Sequence, residues 1–308
     1  MAYTTNDKIL AAHYNNFRDD VNDVYADNAS GGTGEGSGGF GYGQTPIPPL
    51  SPSTKKVEAA EWNALLGAIQ DCAGHQGSGT NGLPASVAVG QVIAALDGVA
   101  PPTAVANIAS VISTIRANRF NIDPGVSSIT SVGTDTATGN WDSPRLQRIT
   151  ASFSSWDEMR YFFNAGGKIV FSFSLPGTAS NTTETNWQAM SSAIDNVLFD
   201  YTSTTSSGGV GSSSAGFYDL TNVRQQIYSY VPSGYSTEEY RISANLNAPP
   251  GAAVEIVFNL EFKTPSGGDI IDLNLVSELS ELDPSDATNS ISVTAPTYNI
   301  GSIFSQLS

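Results

Sequence analysis

Near the start of the chain the apolar residues Leu10, Tyr14, Phe17, Val21 and Val24 recur at alternating steps of four and three. With 3.6 residues per helical turn, such a series falls on one narrow stripe, the geometry of a heptad seam. The spacing predicts a helix over 6–28, with Asp19, Asp20, Asp23 and Asp27 on a solvated flank. A narrow seam with polar borders predicts association with further copies, most simply as a homotrimer, or docking into a ring of other subunits. A second helix is predicted over 58–73, where Trp62, Leu65, Leu66, Ile69 and Cys72 form one stripe. Glu58 and Glu61 suit the positive end of that helix. Gly74-His75-Gln76-Gly77 closes it, with His75 placed to bond the last free carbonyls. Residues 83–119, rich in Ala, Val and Ile and broken at Pro101-Pro102, read as two helices. The second carries Val105, Ile108, Val111, Ile112 and Ile115, although strands share this composition.

From about residue 127 the period shortens to two. Gln147, Ile149, Ala151 and Phe153 alternate with polar residues, as do Ile169, Phe171 and Phe173, then Tyr240, Ile242, Ala244 and Leu246. The longest series is Val254, Ile256, Phe258, Leu260 and Phe262, with Glu255, Asn259, Glu261 and Lys263 opposite. Alternation of this kind predicts antiparallel strands with one face on a core and one in water. A helix is predicted over 182–199 through Trp187, Met190, Ile194 and Val197, and 202–214 reads as a loop. Arg160-Tyr161-Phe162-Phe163-Asn164-Ala165-Gly166-Gly167 sets three aromatics before residues that accept positive φ, a corner feeding the strand 168–174. Phe162 and Phe163 are expected to straddle that corner with at least one of them in the β-core.

The fold class that follows is α+β: an N-terminal helical attachment region, then an antiparallel β-sandwich-like domain with inserted helices. Its expected parts are an N-terminal helix over 1–28, a Gly/Pro-rich linker over 29–56, a helical region over 57–126, the β-domain over 127–265 and an acidic extension over 266–308. Within the linker, 29–44 is nearly all glycine and serine around Phe40 and Tyr42, and 45–53 is proline-rich and extended.

Charge narrows the function. The 308 residues carry a net charge of −16, and only 14 % are charged. Beyond Thr264 there are Asp269, Asp272, Glu278, Glu281, Asp283 and Asp286 and no Lys or Arg. A polyanion is repelled by such a surface, so nucleic acid is not an expected partner. The acids read as a solvated face or as a dock for a basic partner. No apolar run reaches transmembrane length and no signal peptide is evident, so no membrane is expected. The single cysteine, Cys72, excludes a disulfide framework or cysteine-based zinc cluster and reads as a small buried hydrophobe. No phosphate loop, nucleophile elbow or metalloprotease helix is present, and no cofactor, metal or catalytic residue is expected. Asp142, Asp157 and Glu158 are the carboxylates a glycan depolymerase would draw on, and Tyr228, Tyr230 and Tyr235 the aromatics that could stack on sugars.

Two blocks resemble a known family. Val57-Glu58-Ala59-Ala60-Glu61-Trp62-Asn63, followed by Ile69 and His75-Gln76-Gly77, is similar to the N-terminal helical motif of certain tailed-bacteriophage virion proteins. There the helix usually opens with Thr and ends His-Gln-Thr-Gly; here Glu58 replaces the Thr and the second Thr is missing. The second block comprises Phe153, Arg160–Gly167, Trp187, Gly216-Phe217-Tyr218-Asp219-Leu220, Tyr240-Arg241-Ile242 and the strand through Phe262. It resembles the β-domain of the same proteins, and the two blocks cover about half the chain. The resemblance implies a virion location and a non-enzymatic tail, neck, fibre or baseplate-associated role. Trp62, His75, Phe162, Phe163, Asn164, Gly166 and Gly167 would then be structural motif residues, and other virion proteins partners. A host-surface glycan-binding or depolymerase protein is the alternative.

Overall fold

A computed structural model describes residues 11–26, 41–51, 56–80, 82–90, 105–213, 215–233, 238–264 and 270–305. The chain forms two compact units. One comprises Met1–Ser127, Arg160–Gly166 and Pro284–Thr294; the other Ser128–Met159, Gly167–Asp283 and Ala295–Ser308.

The first unit contains helices α1 (Ala11–Tyr25), α2 (Ala59–His75) and α3 (Val105–Ala117), each packed on the other two. Tyr14, Phe17, Val21 and Val24 are buried in this unit's own core, where the Tyr14 ring meets Trp62 edge-on at 5.5 Å. The expected intermolecular seam is therefore corrected: α2 and α3 of the same chain cover it, while Leu10 lies outside the described residues. A four-three pattern records only that a helix has one apolar stripe, whatever covers it. At the α2 start, the Glu61 carboxylate accepts from the Glu58 N–H at 2.5 Å, the reciprocal half of a capping box in which Glu58 occupies the position of the missing Thr.

Extended segments run back along two of these helices and are fastened by side-chain amides. Asn15 donates to the Leu50 carbonyl (3.1 Å) and accepts from the Leu50 N–H (2.9 Å). Asn22 makes the same pair of bonds with Ile47, at 3.0 and 3.0 Å. On α2, Asn63 pairs twice with Val87, at 3.2 and 2.7 Å, and Gln70 donates to the Pro84 carbonyl at 2.7 Å. In both cases seven residues of helix match three of extended chain, in opposite directions. Seven helical residues rise about 10.5 Å, and three residues of polyproline-like chain span about 9.3 Å, so the rungs stay in register. The helix sequences repeat as well: Ala11-Ala12-His13-Tyr14-Asn15 corresponds to Ala59-Ala60-Glu61-Trp62-Asn63, and Val21-Asn22-Asp23 to Ile69-Gln70-Asp71. The unit thus contains a helix-and-strap motif twice. Residues 41–51 are accordingly no linker: Tyr42, Ile47 and Leu50 belong to the core.

The second unit is a pair of antiparallel sheets. Its strands are β1 (Ile129–Ala137), β2 (Arg145–Ser152), β3 (Lys168–Ser174), β4 (Val197–Phe199), β5 (Thr204–Ser206), β6 (Ser212–Ser213), β7 (Gln225–Tyr230), β8 (Glu239–Leu246), β9 (Glu255–Lys263), β10 (Leu275–Leu282), β11 (Thr297–Ile300) and β12 (Phe304–Ser305). One sheet runs β1-β10-β3-β4-β5. The other runs β11-β2-β9-β8-β7-β6, with β12 also on β2. Aromatic rings fill the space between them: Phe171 and Phe199 of the first sheet lie 4.9 and 5.2 Å from Phe258 of the second, and Phe173 lies 4.7 Å from Tyr240. Trp187 of helix α5 (Thr182–Ile194) is fully buried beside Phe173 and Phe262. The α+β class with a sandwich-like sheet pair is thereby realised.

Several boundaries differ from the sequence reading. Helix α5 stops at Ile194, because Asp195 takes φ 57°, and Val197–Phe199 pairs as β4 instead of continuing the helix. The expected loop 202–214 contains the short strands β5 and β6. The acidic extension is corrected: β10 lies inside the first sheet between β1 and β3, and Pro284–Thr294 belongs to the helical unit. Helix α4 (Trp156–Asn164) precedes the corner, and Phe162 and Phe163 are fully buried, but Arg160–Gly166 belongs to the helical unit and not to the β-core.

Candidate functional site

The motif residues meet in the helical unit. Gly77, at φ 64°, ends α2 while Ser78 N–H bonds the Ala73 carbonyl at 2.8 Å. His75, fully buried in the last turn, does not turn to the helix carbonyls as expected. Its Nε2 bonds the Ala165 carbonyl, ninety residues away, at 2.9 Å. A carbonyl only accepts, so Nε2 carries the hydrogen and Nδ1 of the neutral ring is bare. Nδ1 lies 3.5 Å from Asp286 Oδ2. Asp286 is fixed by Asn289, whose side chain and N–H donate at 2.6 and 3.1 Å, and by the Thr288 N–H at 3.0 Å. Burial lowers the His75 pKa from its ordinary value, opposed in part by the bond to the Ala165 carbonyl and by the negative charge of Asp286, which favour the protonated ring. Burial also acts against the charged form of Asp286, yet the bonds from Asn289 outweigh it and hold the carboxyl below its ordinary value.

Around this pair the other polar groups are also engaged. Tyr42 stacks edge-on against His75 at 5.2 Å, donates to the Arg119 carbonyl at 2.6 Å and accepts from Gln76 at 2.8 Å. Asn164 donates to the Gly41 carbonyl at 3.0 Å. Gly166 has φ 89°, and a Cβ there would stand 3.0 Å from Ile122, so only glycine fits this corner without displacement. Cys72 is buried and its thiol pKa is pushed up by burial, the opposite of a reactive thiolate. Trp62, His75, Phe162, Phe163, Asn164 and Gly166 all lie in this unit, whereas Gly167, also buried, begins the next segment of the β-unit.

The sequence-picked carboxylates do not form a site. Asp142 and Asp157 are exposed, and Asp157 and Glu158 stand in the first turn of α4, where the Ser155 hydroxyl caps the Glu158 N–H at 3.1 Å. The tyrosines do not form a stacking platform either. Tyr228 is buried and donates to the Val210 carbonyl at 3.0 Å, Tyr230 is half-buried, and Tyr235 lies outside the described residues. Among the described residues no group of three or more His, Cys, Asp or Glu could hold a metal ion, and no helix is long and apolar enough to cross a membrane.

Among the described residues each unit carries a depression. A groove of about 340 Å³ in the helical unit is lined by Tyr14, Pro48, Pro49, Leu50 and Glu61. A polar cleft of about 240 Å³ in the β-unit is lined by β3, β10 and the end of α5, and contains the carboxylates Asp195 and Glu278. Sequence reasoning missed the cleft because its residues come from three separate segments and none belongs to a motif. No family model matches the chain, and no curated protein or solved structure matches it.

Proposed function

We propose that this protein is a non-enzymatic structural subunit of a tailed-bacteriophage virion, a fibre, neck or baseplate-associated part that acts through assembly with other virion proteins. The observation that carries this reading is the fate of the motif residues. His75 and Asn164, which give the resemblance its polar signature, are buried and bonded to main-chain carbonyls of distant segments. Groups used this way hold a shape, and the one nitrogen left bare, His75 Nδ1, is buried against the Asp286 carboxylate and closed to a substrate. The homotrimer inferred from the α1 seam loses its argument now that the seam is internal, so the partners proposed are different virion proteins. With a net charge of −16, the docking surfaces of those partners are expected to be basic.

The test is quantitative mass spectrometry of particles purified from the phage that encodes this chain, with immunogold labelling to locate it. A fixed number of copies per particle, retained through density-gradient purification, is the expected result. Recovery of the protein solely from the soluble lysate, with particles free of it, overturns the proposal.

A further inference from the structure

We infer that the cleft beside β3, β10 and the C-terminal end of α5 binds a single neutral sugar ring, an activity independent of the virion reading. The cleft is made by the ladder and by small side chains. Ser172 lies opposite Glu278, and Ser174 opposite Val276, in the β3–β10 register. Alternation puts these four on the face turned away from Phe171, Phe173, Leu275 and Leu279. Ser191, Ser192, Asp195 and Asn196 form the other wall. Four serines leave open a volume that larger side chains would fill.

The chemistry of the lining selects the ligand. Two carboxylates and no cationic side chain line the cleft, which disfavours an anion. Carboxylates only accept, and they pair with donors such as the hydroxyls of a polyol; serine hydroxyls and the Asn196 amide donate to or accept from the same ring. Asp195 is held in place, accepting from Ser207 at 2.7 Å and from Asn196 at 3.1 Å, on a backbone whose φ of 57° is unusual for a non-glycine residue. Among the described residues Ser172, Ser174, Ser192 and Glu278 make no side-chain hydrogen bond or ion pair, whereas Ser203, Ser206 and Ser207 nearby are all engaged. Val276 offers an apolar spot for the C–H face of a ring. Pockets for drug-sized ligands run about 300–1,000 Å³, so 240 Å³ suits one ring and not a chain. A hard cation prefers six to eight oxygens, several of them carboxylate, and two carboxylates with no third acid in the cleft are a poor match.

The experiment is saturation-transfer NMR on the full chain with glucose, galactose, mannose, N-acetylglucosamine and N-acetylgalactosamine at millimolar concentration, alongside a calcium titration. The expected result is transfer to at least one sugar. Ser172→Trp, which fills the cleft, should abolish that transfer, and Glu278→Gln should weaken binding about tenfold while thermal melting stays unchanged. Should S172W fail to fold, the exposed-face change E278Q decides the matter alone. No transfer to any of the five sugars overturns the inference. So does transfer unaltered in the folded variants, or a calcium response at these residues without sugar binding.

Discussion

The two units hold extended chain in different ways. In the β-unit each inner strand is paired through its own backbone on both sides, as β9 is with β2 and β8, and the sheets are pressed together by rings such as Phe171 and Phe258. In the helical unit the straps at 47–50 and 84–87 pair with no strand among the described residues, and carboxamide side chains supply what a neighbouring strand would. A backbone ladder tolerates most sequences, because its bonds come with every residue except proline. An amide ladder depends on a few named side chains. The helical unit should therefore be the more sensitive to polar substitution and the β-unit to loss of apolar volume.

The sharpest way to break that contrast is in the ring core. Phe258→Ala removes a fully buried ring touching Phe171 and Phe199, and the expected loss is about 3–5 kcal/mol, read as a drop in the urea midpoint for the β-unit. Next comes the amide ladder. Asn22→Ala takes both partners from Ile47, for about 1–3 kcal/mol when buried groups are left unpaired; Asn22→Asp, isosteric but unable to donate, should recover only part of it. Hydrogen exchange at the Ile47 and Leu50 amides checks this locally. An outcome in which N22A is silent while a surface strand residue of the β-unit matters more would reverse the comparison.

Acid offers a gentler probe. Burial depresses the His75 pKa, so the unfolded chain takes up its proton at a higher pH than the folded one. Stability from this group is complete above the ordinary value of 6.5 and declines as pH falls below it. Asp286, also depressed, adds a loss at lower pH, as the solution passes below its ordinary 3.8 toward the folded value. The helical unit should thus open first on acidification, detected through Trp62, its one described tryptophan, and His75→Gln should flatten the upper part of the profile. The smallest effect is expected at the half-exposed Arg116, which pairs with Asp20 and Asp23 at 2.7 and 3.4 Å. Arg116→Ala should cost under about 1 kcal/mol, and less in salt.

Much of this was legible beforehand, and the failures are instructive. The helix stripes, the strand alternation through Phe262 and the extended proline segment were plain in residue order. The destination of the α1 stripe was not, because Tyr14 and Val21 look the same whether they face another copy or α2. The repeat that points to it, Ala-Ala-x-aromatic-Asn at 11 and again at 59, is visible in the sequence only once the two helices are laid side by side. Strand β10 was hidden for a different reason. Its inward positions include Ser277 and Glu281, the latter bonded by the Tyr298 hydroxyl, so half of its buried face is polar. The His75 junction was half visible: the motif marked the residues, while the meeting of His75 with Ala165 and Asp286 depends on tertiary proximity that spacing does not encode.

The return of the chain at Tyr42 has a practical consequence. Tyr42 N–H bonds the Val24 carbonyl at 2.8 Å and Gly43 N–H that of Ala26 at 3.1 Å, so the chain leaves the end of α1 and rejoins it at the same place. The two anchors therefore lie close together. Each doubling of the chain between two such points costs only about 0.6 kcal/mol of closure entropy, so an insertion into the glycine- and serine-rich sequence between them is expected to leave both fastened. This stretch of glycine and serine is therefore a natural port: a fluorescent tag, an epitope or a small folded cargo can be spliced in there while both of its anchors stay fastened.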